Sequence, residues 1–156
     1  GDYRSIAEHV ETEFGRLDAL VHSAAMLGPQ TPLEHYPLLE WARVLQSNLT
    51  GPLLLTQACL VLLRRHPPSD VVFVGDERRS AYWGAYGISK AAVAALADML
   101  TEELEAEGAV RVHHFRPGPM RTPLRSAAFP GALPEEAPAP EESAARLVRL
   151  LADVPG

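Results

Sequence analysis

Three short segments rich in apolar residues, separated by long helical patterns, constrain the fold of this chain most strongly. The apolar segments are residues 17–22, 71–74 and 110–115, and the helical patterns cover residues 3–14, 38–65, 86–107 and 141–151. Strands that are apolar throughout are buried on both faces, which is typical of parallel sheets. Because parallel neighbours need right-handed crossover connections, this order of elements predicts a doubly wound, parallel α/β sheet with helices on both faces.

The predicted sheet has few strands for its class, and a helix precedes the first of them. This start indicates that strands are missing upstream. A length of 156 residues fits one domain, so we expect residues 1–156 to form a single partial domain, the back half of a larger one. An alternative is that these residues are only a piece of a longer polypeptide, which an intact mass would reveal.

Prolines locate the irregular segments. Pro52 follows Gly51 inside the second helical pattern, and a proline within a helix removes a hydrogen bond, so residues 48–52 are predicted to be irregular. Residues 117–140 hold seven of the 14 prolines. We therefore predict that this Pro-rich region is loop rather than regular structure.

Charge and composition exclude several classes of protein. The formal charge is −6 and basic residues cluster no further than pairs, which argues against a nucleic-acid partner. The single cysteine, Cys59, lies in an apolar run and is expected to be a buried thiol in a reducing compartment. No apolar run is long enough to span a bilayer and no signal peptide is visible, which predicts a cytoplasmic protein without membrane contact. The six histidines lack ligand spacing, so no metal site is expected.

Tyr86 and Lys90 stand four residues apart at the start of a long apolar helical pattern. Positions i and i+4 share one face of a helix, so the phenol and the ammonium group are predicted to point the same way. A free phenol has a pKa of about 10, and a neighbouring cation favours the phenolate and lowers that pKa. A lowered pKa suits general acid–base chemistry near neutral pH.

Four motifs, in order, resemble those of the short-chain dehydrogenase/reductase family, and the resemblance extends over about residues 3–151. The segment LVHSAAMLG resembles the family's Asn-Asn-Ala-Gly motif, Asn48 in LQSNLTG resembles its catalytic Asn, and FRPGPMRTP resembles its Pro-Gly motif. Tyr86 and Lys90 resemble the signature pair, and WGAYGISKAA with RTPLRSAAFP is similar to a bacterial oxidoreductase branch of unassigned substrate. The resemblance covers the C-terminal two-thirds of the family's domain. It implies a Rossmann-like sheet whose N-terminal βαβ half and last strand are absent here.

This resemblance implies an NAD(P)-dependent oxidoreductase that interconverts a carbonyl and a secondary alcohol, with NADP or NAD as the cofactor. Tyr86 would be the general acid/base, Lys90 would lower its pKa and hold the nicotinamide ribose, and Asn48 would help to hold a water leading to Lys90. Residues 117–140 would form the substrate loop. The positions implied to contact the cofactor are Ser23, Ala24, Ala25, Tyr86, Lys90, Pro117, Gly118, Met120 and Thr122.

The chain also departs from the family pattern. It does not include the Gly-rich turn that cradles the pyrophosphate, nor the residue that separates NAD from NADP. No serine follows the strand before Tyr86, Ser80 lies too close to Tyr86, and an ionised Asp76 cannot polarise a carbonyl. Loss of such a donor typically costs about 10²–10³ in rate. Ala25 replaces a glycine and would crowd the adenine-ribose side if its φ had to be positive.

These departures keep a second hypothesis open, in which the chain is a catalytically impaired or truncated family member that acts as a binding or oligomerisation partner. In the family, the two long helices pair across a dimer, so a homodimer or homotetramer through residues 48–65 and 86–107 is expected. Trp83 is equally suited to line a substrate pocket or to pack its loop. Residues 76–79 are expected to form a solvated turn rather than a binding site.

Overall fold

A parallel sheet with the strand order β1-β2-β3 organises the computed structural model, which describes residues 3–152. Its strands are β1 (Ala19–His22), β2 (Ser69–Val74) and β3 (Val110–Phe115). Its helices are α1 (Tyr3–Phe14), α2 (Leu38–Leu45), α3 (Gly51–Arg64), α4 (Gly84–Glu105), α5 (Pro123–Ala128) and α6 (Pro140–Ala152). Two 3-10 turns, at Leu33–His35 and Pro134–Glu136, and a π-helical turn at Gln46–Thr50 complete the described elements. The doubly wound α/β class predicted from the sequence is confirmed.

The core lies between one face of the sheet and the long helices. Val71 and Phe73 of β2 are two residues apart, so both side chains point to the same face, and neither has exposed surface. They pack with Cys59 and Leu63 of α3, and with the apolar face of α4. Cys59 is buried as predicted, and burial raises the pKa of its thiol. Right-handed crossovers from β1 to β2 and from β2 to β3 place both helices on this face.

A π-helical turn separates α2 from α3, which confirms the predicted irregularity near Gly51 and Pro52. The turn covers Gln46–Thr50, just ahead of the proline. Pro52 itself sits in the first turn of α3. A proline is well tolerated there because the first amide groups of a helix have no intrahelical acceptor.

The Pro-rich segment 117–140 is not all loop, and the sequence prediction was wrong on this point. Residues Pro123–Ala128 form α5, and a 3-10 turn follows at Pro134–Glu136. Thr122 caps α5, since its Oγ1 accepts a hydrogen bond from the Arg125 amide at 3.2 Å. A Thr cap followed by Pro at the first helical position is a standard helix start, and it was hidden among the surrounding prolines.

An ion cluster joins β2 to β3 at the amino end of the sheet. Asp70 is 4% exposed and aligns with Arg111 across the two strands. Its carboxylate accepts two hydrogen bonds of 2.8 Å from Arg111 and lies 2.7 Å from Nε2 of His113. The Asp70 carboxylate raises the pKa of Arg111. This buried carboxylate is thus fully paired.

His22, the last residue of β1, is held against the core. Its ring stacks on Phe73 with centroids 4.9 Å apart, and its Nε2 lies 2.8 Å from Oγ1 of Thr56. The Thr56 hydroxyl donates its hydrogen to the carbonyl oxygen of Pro52. It must therefore accept from His22, which puts the imidazole proton on Nε2. Burial lowers the pKa of His22 to about 4.

None of the helices within residues 3–152 combines the length and the apolar character needed to cross a membrane. In the same range, no group of three or more His, Cys, Asp or Glu side chains is arranged to hold a metal ion.

Candidate active site

A cavity of about 650 Å³ opens at the carboxyl ends of β2 and β3. Parallel strands leave their loops at this edge, which is where open α/β sheets bind ligands. The cavity is bounded by the loop after β2, the start of α4, the segment after β3 and α5. The polar and charged side chains on its wall are Ser23, Asp76, Glu77, Arg78, Tyr86, Lys90, Arg116, Thr122 and Arg125.

Tyr86 lies in the first turn of α4, and only 4% of its surface is exposed. Its hydroxyl donates a hydrogen bond of 2.8 Å to Oδ2 of Asp76. The other carboxylate oxygen of Asp76 accepts from the amide of Arg78 at 3.1 Å, which fixes the carboxylate in place. Burial raises the pKa of Tyr86 far above its usual value, and the hydrogen bond and charge of Asp76 raise it further.

Lys90 follows one turn later on the same face of α4, as the spacing predicted. Its Nζ donates to the carbonyl oxygen of Val74, the last residue of β2, at 2.8 Å. The ammonium group lies 5.9 Å from the centroid of the Tyr86 ring. Burial lowers the pKa of Lys90, although the charge of Asp76 opposes this. The expectation of a lowered Tyr86 pKa is wrong for this structure, because burial and Asp76 outweigh the charge of Arg78, the cation that lowers this pKa.

Asn48 occupies the middle of the π-helical turn, is 2% exposed and does not line the cavity. Its Oδ1 accepts from the amide of Met26 at 2.7 Å, and its Nδ2 donates to the Met26 carbonyl at 2.9 Å. The same Nδ2 donates to Oγ of Ser89, at 3.0 Å. Asn48 therefore ties the segment after β1 to α4, next to Lys90.

The other positions implied to contact a cofactor fall on the cavity wall with one exception. The wall includes Ser23, Ala25, Pro117, Gly118, Met120 and Thr122. Ala24 instead lines a separate cleft of about 960 Å³ beside the π-helical turn. Ala25 does not have a positive φ, so its methyl group causes no backbone strain. Gly118 does, at +79°, and this allows the sharp turn after β3.

Residues 77–79 are exposed, as expected of a solvated turn, whereas Asp76 is half-buried and lines the cavity. Asp76 binds the Tyr86 hydroxyl, and the Arg78 guanidinium lies over the rings of Trp83 and Phe129. The sequence did indicate a role in the site through position alone, because this segment directly follows the carboxyl end of a buried strand. The contact of Asp76 with Tyr86, ten positions further along the chain, follows no periodic pattern in the sequence.

Aromatic side chains form the apolar wall of the cavity. Trp83 is 9% exposed, and its ring centroid lies 5.7 Å from that of Tyr86 and 5.6 Å from that of Phe129. Leu124 and Ala128 of α5 complete this cluster. Trp83 thus both lines the cavity and packs its loop, so the two roles left open by the sequence coexist.

Comparison with known proteins agrees with this architecture. The family model for short chain dehydrogenases matches residues 2–132. The oxidoreductase YciK of Escherichia coli K12 is 33% identical over 143 residues, covering 89% of this chain and 56% of YciK. The chain therefore spans little more than half the length of this relative.

Solved structures show the same likeness. A short chain dehydrogenase from Pseudomonas syringae superimposes with a TM-score of 0.86 at 42% identity, covering 90% of this chain and 58% of that one. A short chain dehydrogenase from E. coli CFT073, solved with NADPH, gives a TM-score of 0.85 at 31% identity, covering 90% of this chain and 59% of that one. The match over residues 2–132 and the shared fold place the chain in the same family as these proteins. The protein belongs to the short-chain dehydrogenases.

Proposed function

We propose that the protein is an NAD(P)-dependent oxidoreductase that interconverts a carbonyl and a secondary alcohol, with Tyr86 as its general acid/base. The observation that carries this proposal is the position of Tyr86 and Lys90 on one face of α4, both on the wall of a cavity at the carboxyl edge of the sheet. On sequence grounds we place the reaction in the cytoplasm. The substrate is a small molecule with one reducible carbonyl or oxidisable alcohol.

The cavity fits the nicotinamide end of a dinucleotide. Lys90 is the cation available to a ribose, and the positive φ of Gly118 brings backbone close to the cavity without a side chain. The E. coli CFT073 relative was solved with NADPH. Either NADP or NAD remains the proposed cofactor, since residues 3–152 contain no Gly-rich phosphate turn between a strand and a helix. When bound, the nicotinamide supplies or accepts the hydride.

The protein's own contribution is the control of one proton at the Tyr86 oxygen. The raised pKa keeps the phenol protonated at neutral pH, but it also makes the phenol a weaker proton donor to a carbonyl oxygen that gains hydride. The reverse reaction needs the phenolate, which the nearby carboxylate of Asp76 disfavours.

The test is turnover of NADPH and NADH against a panel of ketones and aldehydes by the wild type and Tyr86→Phe. We expect Tyr86→Phe to lose reduction while its circular dichroism stays unchanged. Tyr82→Phe is the matched control, because Tyr82 is 60% exposed and lies outside the cavity. Equal turnover by the wild type and Tyr86→Phe would refute the role of the phenol.

A second candidate function is that of a catalytically impaired member acting as a binding or oligomerisation partner. Two observations favour it. The Tyr86 hydroxyl already donates a hydrogen bond to Asp76, and the Lys90 ammonium group donates one to the Val74 carbonyl. Oligomerisation would use α3 and α4, whose exposed apolar side chains include Leu54, Val61, Ile88 and Met99. A folded protein that sediments as a dimer or tetramer but shows no turnover would favour this candidate over the first.

A further inference from the structure

Two arginines converge on one aromatic ring at the cavity wall. The Cζ atom of Arg125 lies 5.1 Å from the centroid of the Phe129 ring, and that of Arg78 lies 5.3 Å from the same centroid. Arg78 is also 5.6 Å from the centroid of the Trp83 ring. A guanidinium that contacts rings through its face keeps its in-plane N–H donors free for another partner.

Neither of these guanidinium groups forms a salt bridge with a carboxylate of residues 3–152, whereas the neighbouring charges on the wall are paired. Arg116 forms an ion pair with Glu77. Asp76 accepts from Tyr86 and from the backbone amide of Arg78, as described above. Lys90 donates to the Val74 carbonyl, so Arg78 and Arg125 are the guanidinium groups of this wall without a carboxylate partner among residues 3–152.

The cations lie close to the proposed proton donor. The Trp83 ring touches both the Tyr86 ring and the Arg78 guanidinium, so the two are separated by no more than one indole. Between them the wall is apolar, formed by Trp83, Leu124 and Ala128. A ligand that spans this distance would place an apolar body on the aromatic wall, an anion at the guanidiniums and its reactive group at Tyr86.

We propose that Arg78 and Arg125 bind the carboxylate of the substrate, which makes the substrate a small keto acid or hydroxy acid with a ring or short apolar chain between its two oxygen functions. Planar guanidinium groups suit carboxylates because they can donate two parallel hydrogen bonds. This inference rests on the proposed function for the reactive end of the substrate. A phosphate of the cofactor has the same chemistry as an anion and is the competing occupant.

The experiment compares 4-acetylbenzoate with its uncharged methyl ester, using saturation-transfer NMR for binding and NADPH oxidation for turnover. The variants are Arg78→Gln and Arg125→Gln, which remove the charge at similar length. Arg149→Gln is the control, because that side chain is exposed on α6, outside the cavity wall, and donates to the carbonyl of Ala145. Binding is also measured on Tyr86→Phe and so requires no catalysis.

We expect the acid to bind more tightly than the ester, and Arg78→Gln or Arg125→Gln to weaken the acid roughly 10- to 100-fold relative to the ester. Arg149→Gln should keep the full preference. If the acid preference appears in binding but no ketone is turned over, the anion site stands and the proposed reaction fails. Equal binding of acid and ester by the wild type would overturn the inference. The inference would also be overturned if Arg78→Gln and Arg125→Gln weakened NADPH binding but kept the preference for the acid over the ester.

Discussion

The imidazole of His22 makes stability depend on pH in a way that can be worked out from its surroundings. The folded pKa is about 4 because the ring is buried between Phe73 and Thr56, whereas an unfolded histidine titrates near 6.5. The unfolded chain therefore binds more protons between these two values. Stability from this group is complete above pH 6.5 and is lost as the pH falls toward 4.

The size of the effect follows from the separation of the two pKa values, at 1.36 kcal/mol for each unit. Lowering the pH from neutral to about 5 should cost about 2 kcal/mol of unfolding free energy, and reaching pH of about 4 should cost about 3 kcal/mol. The variant His22→Gln removes the titration but retains an N–H donor for Thr56. Over the same pH range the unfolding free energy of His22→Gln should fall less than that of the wild type, and the difference between the two proteins should equal these amounts.

The assay is urea unfolding followed by tryptophan fluorescence at a series of pH values, for both proteins. The difference between the two curves cancels the contributions of the other titrating groups. These include His114, since burial lowers its pKa as well. NMR titration of the His22 ring measures the folded pKa directly. Parallel stability curves for the wild type and His22→Gln, or a folded His22 that titrates near 6.5, would refute the reasoning.

Two further predictions concern carboxylates. Asp76→Asn removes a charge and an acceptor from the Tyr86 hydroxyl, so the pKa of that phenol should fall. Alkaline ultraviolet titration measures the pKa of Tyr86 when the curve of the same protein with Tyr86→Phe is subtracted. The control Glu77→Gln should leave this pKa unchanged. An unchanged pKa in Asp76→Asn would contradict the assignment. Asp70→Asn should destabilise the fold by about 3–5 kcal/mol, because it leaves Arg111 beside a buried, uncharged amide. Urea unfolding tests this against the exposed Asp18→Asn, which should change stability far less.

Much of the fold could be predicted because its signals are local. Each strand is a short apolar run, and α1 and α4 end close to Gly15 and Gly108, which take positive φ angles of +71° and +62°. The break before α3 follows from Pro52. The start of α5 carried a signal too, in Thr122 and the proline after it, but the density of prolines in 117–140 obscured it.

The candidate site was less predictable because its decisive contacts are not periodic. The spacing of Tyr86 and Lys90 showed that they share a helix face, yet it could not show what either group is bonded to. Asp76 reaches Tyr86 only because the loop after β2 folds back over the start of α4. Burial then decides the direction of the Tyr86 pKa shift, and the burial of a single side chain depends on the whole fold rather than on its neighbours in sequence.

The internal bonds of Tyr86 and Lys90 have a thermodynamic consequence for any ligand. The Tyr86 hydroxyl already donates to Asp76, and one of the three N–H donors of Lys90 is taken by the Val74 carbonyl, so a ligand that replaces either bond exchanges one partner for another. Such an exchange yields little net enthalpy. Apart from the contribution of Arg78 and Arg125 to an anion, affinity then comes from covering Trp83 and Phe129, and burial of apolar surface on binding is marked by a negative heat-capacity change. Calorimetry at several temperatures should show that signature, with an enthalpy that becomes more favourable as the temperature rises.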